Sequence, residues 1–208
     1  MKNLLFPTLI GTWGYIDFGR EALLEQATNS LVPENNPFLD PDYCKDWVRQ
    51  LHKRDGIDFS SGGYLEDRSF LWRGHYMKHG HMWHLGTDYN VPAGTPVALP
   101  CPGVLLSSKV DPDQNGGWGG KLIFLLKRER VWRCMIFGHL DKIVNEVREY
   151  KAGEIIGEVA EKEKNGNWFP HLHIQSVGSN KNPELVDGYG PIYAEIGIDF
   201  PRPELGFE

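Results

Sequence analysis

Short apolar runs separated by Gly- and Pro-containing turns dominate the chain from about residue 62 onwards. Runs 121–127 and 131–137 lie on either side of a charged turn, and we predict that they form a β-hairpin. Residues 153–159 are predicted to form another short strand pair. The 24 glycines and 14 prolines among 208 residues also favour short strands and turns. We therefore predict a mainly β fold, an antiparallel β sandwich or curled sheet.

Helical signals are confined to the first 60 residues. Residues 21–31 place apolar side chains at helical spacing, among them Leu23 and Ala27. Asp40 followed by proline is typical of an N-cap with proline at the first helical position, and Gly56 marks the end of this second helix. Two short helices cannot hold a core by themselves, so we expect them to dock on the β region.

These patterns predict three parts of the chain: a helical N-terminal extension over residues 1–60, a β domain over 61–200 and a tail over 201–208. The β part has the length of one domain, for which about 150 residues is common.

Charge and cysteine content exclude several classes of protein. A net charge of −6 argues against nucleic acid as a partner, because phosphate binding needs clustered Lys and Arg. No run reaches the roughly 18 apolar residues of a membrane span, and no secretory signal is visible, which favours a cytoplasmic location over a periplasmic or extracellular one. Cys44, Cys101 and Cys134 have no CxxC spacing and read as thiols in a reducing compartment. The oligomeric state stays open.

Five side chains that can bind a divalent metal or move protons fall in three separate segments. His84 and Asp88 stand four residues apart, His139 follows a strong strand, and the alternation of a strand puts His171 and His173 on one face. A carboxylate with imidazoles suits zinc, and three protein ligands leave a position for water. Each segment alone also fits a structural role, as strand-edge histidines or a surface ion pair.

Taken together, the three motifs resemble those of the lysostaphin-like zinc metallopeptidases, peptidase family M23. These are peptidoglycan endopeptidases with the duplicated hybrid motif fold. The resemblance covers roughly residues 70–178 and includes Gly-containing flanks at 91–97, 117–119 and 153–157. The motifs are, in order, His84-x-Gly86-x-Asp88, Gly138-His139-Leu140 and Pro170-His171-Leu172-His173.

The resemblance implies a role for each matching residue. His84, Asp88 and His173 would bind one Zn²⁺ per chain, and His139 and His171 would act as general base and as stabiliser of the tetrahedral intermediate. It implies a zinc metalloendopeptidase that hydrolyses cross-link or stem peptides of peptidoglycan through a metal-activated water. The implied partner is a peptide or a peptidoglycan-derived substrate.

Aromatic residues near the motifs depart from the family pattern, which usually has small and hydroxyl residues before its last motif. Here Trp168 and Phe169 occupy that place, and Trp83 and Trp118 flank the other motifs. We predict that the three tryptophans bind substrate, with core packing as the alternative. This departure concerns the choice of ordinary cross-linked peptidoglycan as the substrate and leaves the predicted hydrolytic reaction unchanged.

Two alternative functions follow from these departures. One is a zinc hydrolase of the same fold acting on an intracellular amide or peptide outside the wall; the other is an inactive binding or regulatory version. The N-terminal extension is also a candidate for a segment that covers the groove and keeps the enzyme latent. His75, His79 and His81 are expected to lie in a solvated loop, because no carboxylate is spaced to complete a second metal site with them.

Overall fold

A computed structural model describes residues 2–29, 35–128, 131–193 and 195–203 of the chain. Its strands are β1 Trp13–Tyr15, β2 Phe59–Gly62, β3 Trp83–His84, β4 Thr87–Asn90, β5 Pro96–Ala98, β6 Gly103–Asp111, β7 Gly119–Arg128, β8 Val131–Asp141, β9 Glu149–Tyr150, β10 Ile155–Val159, β11 His171–Val177 and β12 Tyr189–Gly190. Its α-helices are α1 Lys2–Leu5, α2 Phe18–Asn29, α3 Pro41–Asp55 and α4 Ile196–Asp199. Short 3₁₀ helices span Pro37–Leu39, Gly74–His79 and Lys162–Lys164.

One large sheet organises the fold. Its strand order is β1-β2-β4-β11-β8-β7-β6-β9, with β10 pairing both β5 and β8, while β12 and β3 form a separate two-stranded sheet. Among the described residues every strand pair is antiparallel except β1 with β2. The prediction of a mainly β, largely antiparallel fold is confirmed.

The predicted hairpin is the longest pairing in the sheet. β7 and β8 run antiparallel from Gly120↔Leu140 to Arg128↔Val131, so both strands extend beyond the predicted runs 121–127 and 131–137. The predicted strand pair at 153–159 was wrong. Gly153 lies in a turn with a positive φ of 85°, and the remaining residues are too few for two strands and form the single strand β10, which pairs with β5 and β8.

The main core lies on one face of this sheet. Leu122, Phe124, Phe137, Leu172 and Ile174 are all buried in one apolar cluster. Leu172 and Ile174 reach this core from β11, so its two histidines lie on the opposite face, as the alternation of the sequence predicts.

Helix α3 begins and ends where the sequence indicates. The Asp40 side chain accepts a hydrogen bond from the Asp42 N–H, proline occupies the first turn, and Gly56 closes the helix in the left-handed conformation. Helix α2 was predicted over 21–31 and spans Phe18–Asn29, with residues 30 and 31 lying outside the described part.

The predicted apolar face of α2 was wrong. Leu23 is 43% exposed and Ala27 is exposed, whereas Phe18 and Ala22 are buried. The reason is the larger contact available to Phe18, whose ring packs 5.7 Å from that of Trp47 on α3.

The segment up to residue 62 also supplies two strands that the sequence does not predict, and the second of them crosses the predicted boundary at residue 60. β2 pairs with β4 through Ser60↔Asn90 and Gly62↔Asp88, and β1 extends the sheet beyond it. Their segments, Trp-Gly-Tyr and Phe-Ser-Ser-Gly, are short and lack clear alternation, so pairing with β4 decides their conformation. The division at residue 60 stays a prediction, and residues 204–208 of the predicted tail lie outside the described part. None of the helices described has the length and apolar character needed to span a bilayer.

Candidate metal and catalytic site

The pairing of three strands brings the predicted ligands together. Asp88 on β4 lies directly opposite His173 on β11, and His173 faces Gly138 on β8 from the other side. His84 arrives from the short strand β3. One ligand atom from each of His84, Asp88 and His173 lies within 4.8 Å of the other two. The three residues that the sequence proposed as ligands therefore meet at one point.

The distances within this triad are short and the triad is enclosed. His84 Nε2 lies 3.0 Å from His173 Nδ1, and these nitrogens lie 3.3 and 3.0 Å from Asp88 Oδ1. The side chains are at most 2% exposed. Such a cluster of lone-pair donors cannot be hydrated from outside and needs a compensating positive charge.

Hydrogen bonds on the far side of each ring fix which nitrogen faces the centre. His84 Nδ1 lies 2.9 Å from the Gly63 carbonyl, to which it donates. Gln175 donates from its amide to the Asp187 carbonyl, so its oxygen faces His173 Nε2 at 3.0 Å and accepts from it. In the neutral rings the facing atoms, His84 Nε2 and His173 Nδ1, then both carry a free lone pair, so each can accept a hydrogen bond but neither can donate one. Two acceptors at 3.0 Å fit a cation between them, as metal-ligating histidines with outer hydrogen-bond partners do.

The close approach of Gly63 to the triad explains why glycine stands there. Its φ is +100°, and a Cβ would lie 2.7 Å from His84 Nδ1 and 2.8 Å from Arg68 Nη2. Any other residue would push away either the ligand or its supporting arginine.

A buried arginine behind the triad holds the carboxylate in its charged form. Arg68 Nη2 lies 2.8 Å from Asp88 Oδ2, Nε lies 3.3 Å from Glu66, and Nη1 donates to the Tyr189 hydroxyl at 3.2 Å. Although burial opposes ionisation, electrostatic interactions with the adjacent His84 ring and the Arg68 guanidinium keep the pKa of Asp88 well below its ordinary value.

The imidazoles respond to the same environment in the opposite direction. Burial, reinforced by Arg68, lowers the pKa of His84 to about 4. It also lowers the pKa of His171, and it lowers that of His139 well below its ordinary value with help from the neighbouring histidines. These three rings are therefore neutral at pH 7, as metal binding and proton acceptance require.

His139 and His171 lie side by side next to the triad, with ring centroids 4.3 Å apart. His171 Nδ1 donates to the Phe169 carbonyl at 2.7 Å, and its Nε2 lies 3.7 Å from Asp88 Oδ1. His139 has a positive φ of 62°, and its Nδ1 has no hydrogen-bond partner among the described residues. A non-glycine residue in this region is uncommon, and such backbone strain is concentrated at functional sites.

Aromatic side chains line a cavity in front of these histidines. They are Trp72, Tyr76, Trp118, Trp168 and Tyr189. Trp118 packs edge-on against His173 at 5.3 Å and stacks on His139 at 6.1 Å. Trp168 stacks on Trp72 with centroids 6.2 Å apart and planes 7° apart. Two of the three tryptophans predicted to bind substrate therefore lie at the cavity.

The third predicted tryptophan, Trp83, is placed elsewhere. It packs partly buried against a separate cluster that contains Leu85, Ile196 and Phe200, and it is not among the described residues that line the cavity. His75, His79 and His81 join no metal-ligand group in the part of the chain that the structure describes.

Several residues of the site carry no signal in the sequence. Glu66, Arg68, Arg73, Tyr76 and Tyr189 belong to no motif, and Arg68 and Tyr189 are separated by 121 positions. Arg68 lies in an irregular segment, so its ion pair with Asp88 follows no helix or strand spacing that the sequence could show.

Residues 82–184 match the model of peptidase family M23, a span that includes all five predicted metal and catalytic residues. Over this segment the chain belongs to peptidase family M23. The resemblance recognised in the motifs is thereby confirmed. A comparison with curated proteins finds no match.

Solved structures similar to this M23 chain include three peptidases. The catalytic domain of a mutant of the prophage-encoded M23 protein EnpA from Enterococcus faecalis is 24% identical over 51% of this chain and 80% of that one, with a TM-score of 0.39. Lysostaphin from Staphylococcus simulans is 25% identical over 51% and 41%, with a TM-score of 0.40. A zinc containing peptidase from Vibrio cholerae is 26% identical over 46% and 27%, with a TM-score of 0.37. The chain thus spans less than half of the last two structures, and TM-scores this low add nothing to the family assignment.

Proposed function

We propose that this M23 chain is a zinc-dependent endopeptidase that hydrolyses cross-link or stem peptides of the peptidoglycan type. Family membership supports a peptidase role. The observation that carries the finer proposal is the enclosed triad of His84, Asp88 and His173, whose facing nitrogens are both acceptors. Two imidazoles and a carboxylate are a donor set that zinc prefers, with room for a fourth ligand. Zinc bound there would supply a Lewis acid that acidifies water and polarises the scissile carbonyl.

The hydrogen bonds of His171 make it the better proton acceptor. Because Nδ1 donates to the Phe169 carbonyl, Nε2 carries the lone pair in the neutral ring. We assign to this nitrogen the removal of the proton from the attacking water and its delivery to the leaving amine. Asp88 Oδ1, at 3.7 Å, stabilises the transient imidazolium.

His139 then takes the second role. Its ring is held against Trp118 and His171, and its backbone is fixed by hydrogen bonds from its own N–H to the Trp118 carbonyl and from the Ala160 N–H to its carbonyl. We propose that an N–H of this ring stabilises the negative charge that develops on the carbonyl oxygen. The fixed position matters because such a donor acts without reorganising during the reaction.

Metal content and hydrolysis, measured together, test this division of roles. We expect about one zinc per chain, lost in His173→Ala. His139→Gln and His171→Gln should keep the metal while hydrolysis falls about 10²- to 10⁴-fold. His79→Gln, at an exposed histidine outside the site, is the matched control and should change neither. A chain that binds no zinc, or keeps its zinc in His173→Ala, would contradict the proposal.

Substrate class needs a separate experiment. The chain is incubated with purified cell walls and, in parallel, with soluble peptide and amide libraries, and the released amines are identified. Release of wall peptides supports the proposal. Turnover of soluble amides alone replaces it with a hydrolase acting outside the wall, and zinc binding without any hydrolysis replaces it with an inactive binding protein.

A further inference from the structure

The charged residues that line the cavity have an unexpected sign. The described lining contains two arginines, Arg68 and Arg73, and no carboxylate. This contrasts with the net charge of −6 for the whole chain. A cavity with walls of one sign concentrates ligands of the opposite sign.

The two arginines differ in how their charge is compensated. Arg68 faces Glu66 and Asp88, both almost fully buried. Arg73 is 7% exposed, and no carboxylate of the described residues lies within ion-pair distance of it. Burial lowers the pKa of Arg73 and outweighs the opposing effects of Tyr189 and Asp67. An enclosed cation without a counter-charge is costly, and a bound anion would remove that cost.

Backbone carbonyls hold the Arg73 guanidinium in a fixed orientation. Nε donates to the His81 carbonyl at 3.2 Å, and Nη1 donates to the carbonyls of Arg68 and Leu71. No described residue accepts a hydrogen bond from Nη2. The group is therefore preorganised, with one nitrogen left to bind a ligand.

A second unused donor lines the same cavity. Trp168 is 7% exposed, and its Nε1 is enclosed without a hydrogen-bond partner among the described residues. The Trp168 backbone is anchored by Asn165, whose side chain accepts from the Trp168 N–H and donates to the Trp168 carbonyl, both at 3.1 Å. A buried indole N–H normally finds an acceptor, so this one indicates a missing ligand atom.

We propose that the cavity contains a carboxylate subsite in which Arg73 supplies the charge and the Trp168 indole a second donor, so that the preferred substrate is a short peptide carrying a free carboxylate near the scissile bond. This inference rests on the proposed function, since it names the substrate class of the same site. The carboxylate comes either from a chain terminus or from an acidic side chain, and the experiment distinguishes the two.

The test is a binding measurement on the full chain, loaded with zinc and again after treatment with a chelator. The probes are N-acetyl-dialanine with a free carboxylate, its carboxamide, and the amidated dipeptide N-acetyl-alanyl-glutamate, each in L and D forms. Tryptophan fluorescence reports binding, because Trp118 and Trp168 line the cavity. We expect a carboxylate-bearing probe to bind about tenfold to a hundredfold more tightly than the neutral carboxamide. Tight binding of the first probe indicates a chain terminus, and tight binding of the glutamate probe indicates an acidic side chain.

Variants of Arg73 separate recognition from a structural role. Arg73→Gln should abolish the preference for carboxylate, and Arg73→Lys, which keeps the charge, should retain part of it. Arg49→Gln, at an exposed arginine, is the matched control and should leave the preference unchanged. If Arg73 merely fastens the segments around it, the variants will weaken binding of the acid and the carboxamide equally, which overturns the inference.

The outcome is separable from that of the proposed function. Equal binding of acid and carboxamide to the wild-type chain overturns the subsite even if both are hydrolysed. An Arg73-dependent preference in a chain that releases no amine from cell walls or from the soluble libraries supports the subsite and contradicts the peptidase.

Discussion

Removing the arginine behind the metal ligands should destabilise the fold strongly. Arg68 is 2% exposed and faces the carboxylates of Glu66 and Asp88, which are 3% and 1% exposed. In Arg68→Gln both carboxylates lose their positive partner in an enclosed environment. Breaking a buried ion pair by removing one partner costs about 3–5 kcal/mol. For a chain of this size we therefore expect the melting temperature to fall by roughly 6–20 °C.

The pH dependence of the loss follows from Glu66. Burial raises the pKa of Glu66 above its ordinary value even with Arg68 present, and it should rise further without it. A carboxyl with a raised pKa in the folded state contributes stability at low pH and loses it as the pH rises through that pKa. The difference in the free energy of unfolding between Arg68→Gln and the wild-type chain should therefore be larger at pH 8 than at pH 5.

Urea unfolding of the metal-free chain, followed by circular dichroism at both pH values, measures this difference. Arg49→Gln is the control, because the Arg49–Asp46 pair has a similar distance of 2.9 Å but side chains 58% and 70% exposed. An exposed pair of this kind contributes about 0–1 kcal/mol. Added zinc should restore part of the lost stability by giving Asp88 a counter-charge. A decrease of less than about 1 kcal/mol in the free energy of unfolding of Arg68→Gln would refute the reasoning, because breaking a buried ion pair should cost more than that.

Three further substitutions or treatments have defined outcomes. Gly86→Ala should lower zinc affinity, measured by competition with a chelator, because its Cβ would collide with the His173 ring; Gly190→Ala, where a Cβ meets ordinary contacts of 3.4 Å or more, should not. Asp40→Ala should lower the free energy of unfolding by about 1 kcal/mol through loss of the helix cap, and an unchanged urea midpoint would contradict this. Burial raises the pKa of Cys44 to about 12, so its thiol should resist iodoacetamide at pH 8 until the chain unfolds, and fast labelling of the native chain would show the burial to be wrong.

The residues that could be predicted from sequence are those with local spacing. The alternation in His171-Leu172-His173 placed both histidines on the face opposite the core because the side-chain period of a strand is fixed. The N-cap at Asp40 and the end at Gly56 rest on interactions within a few residues. In both cases the deciding partners lie close along the chain, so the pattern carries the information.

The residues that could not be predicted depend on distant partners. The spacing of α2 predicts that Leu23 is buried, but the structure buries Phe18 against Trp47 instead. The sequence of the helix alone does not show which of its two faces packs against the rest of the protein. Arg68 and Arg73 are ordinary charged residues in the sequence. Only the fold shows that one is neutralised by Glu66 and Asp88 and the other is not.

The N-terminal segment and the aromatic loop before the last motif form one packing unit. Trp168 is buried in the same cluster as Phe18, Phe38 and Trp47 from the first 60 residues. Phe169 lies 5.9 Å from the ring of His52 on α3. The loop that departs from the family pattern is thus supported from behind by the helices that precede the M23 segment.

This arrangement changes the expected role of the extension. None of the described residues that line the cavity comes from the first 60 positions; the segment contacts the cavity wall through Trp168 and Trp72, which pack against its apolar cluster. If the segment covered the cavity, its removal would raise the activity. If it supports the cavity, its removal would displace Trp168 from the cavity wall. The contacts favour the second role, because deleting the helices would expose Trp168 and the other apolar side chains of that cluster. We therefore expect deletion of the helices to displace Trp168 and, with it, to change the proposed carboxylate preference of the cavity.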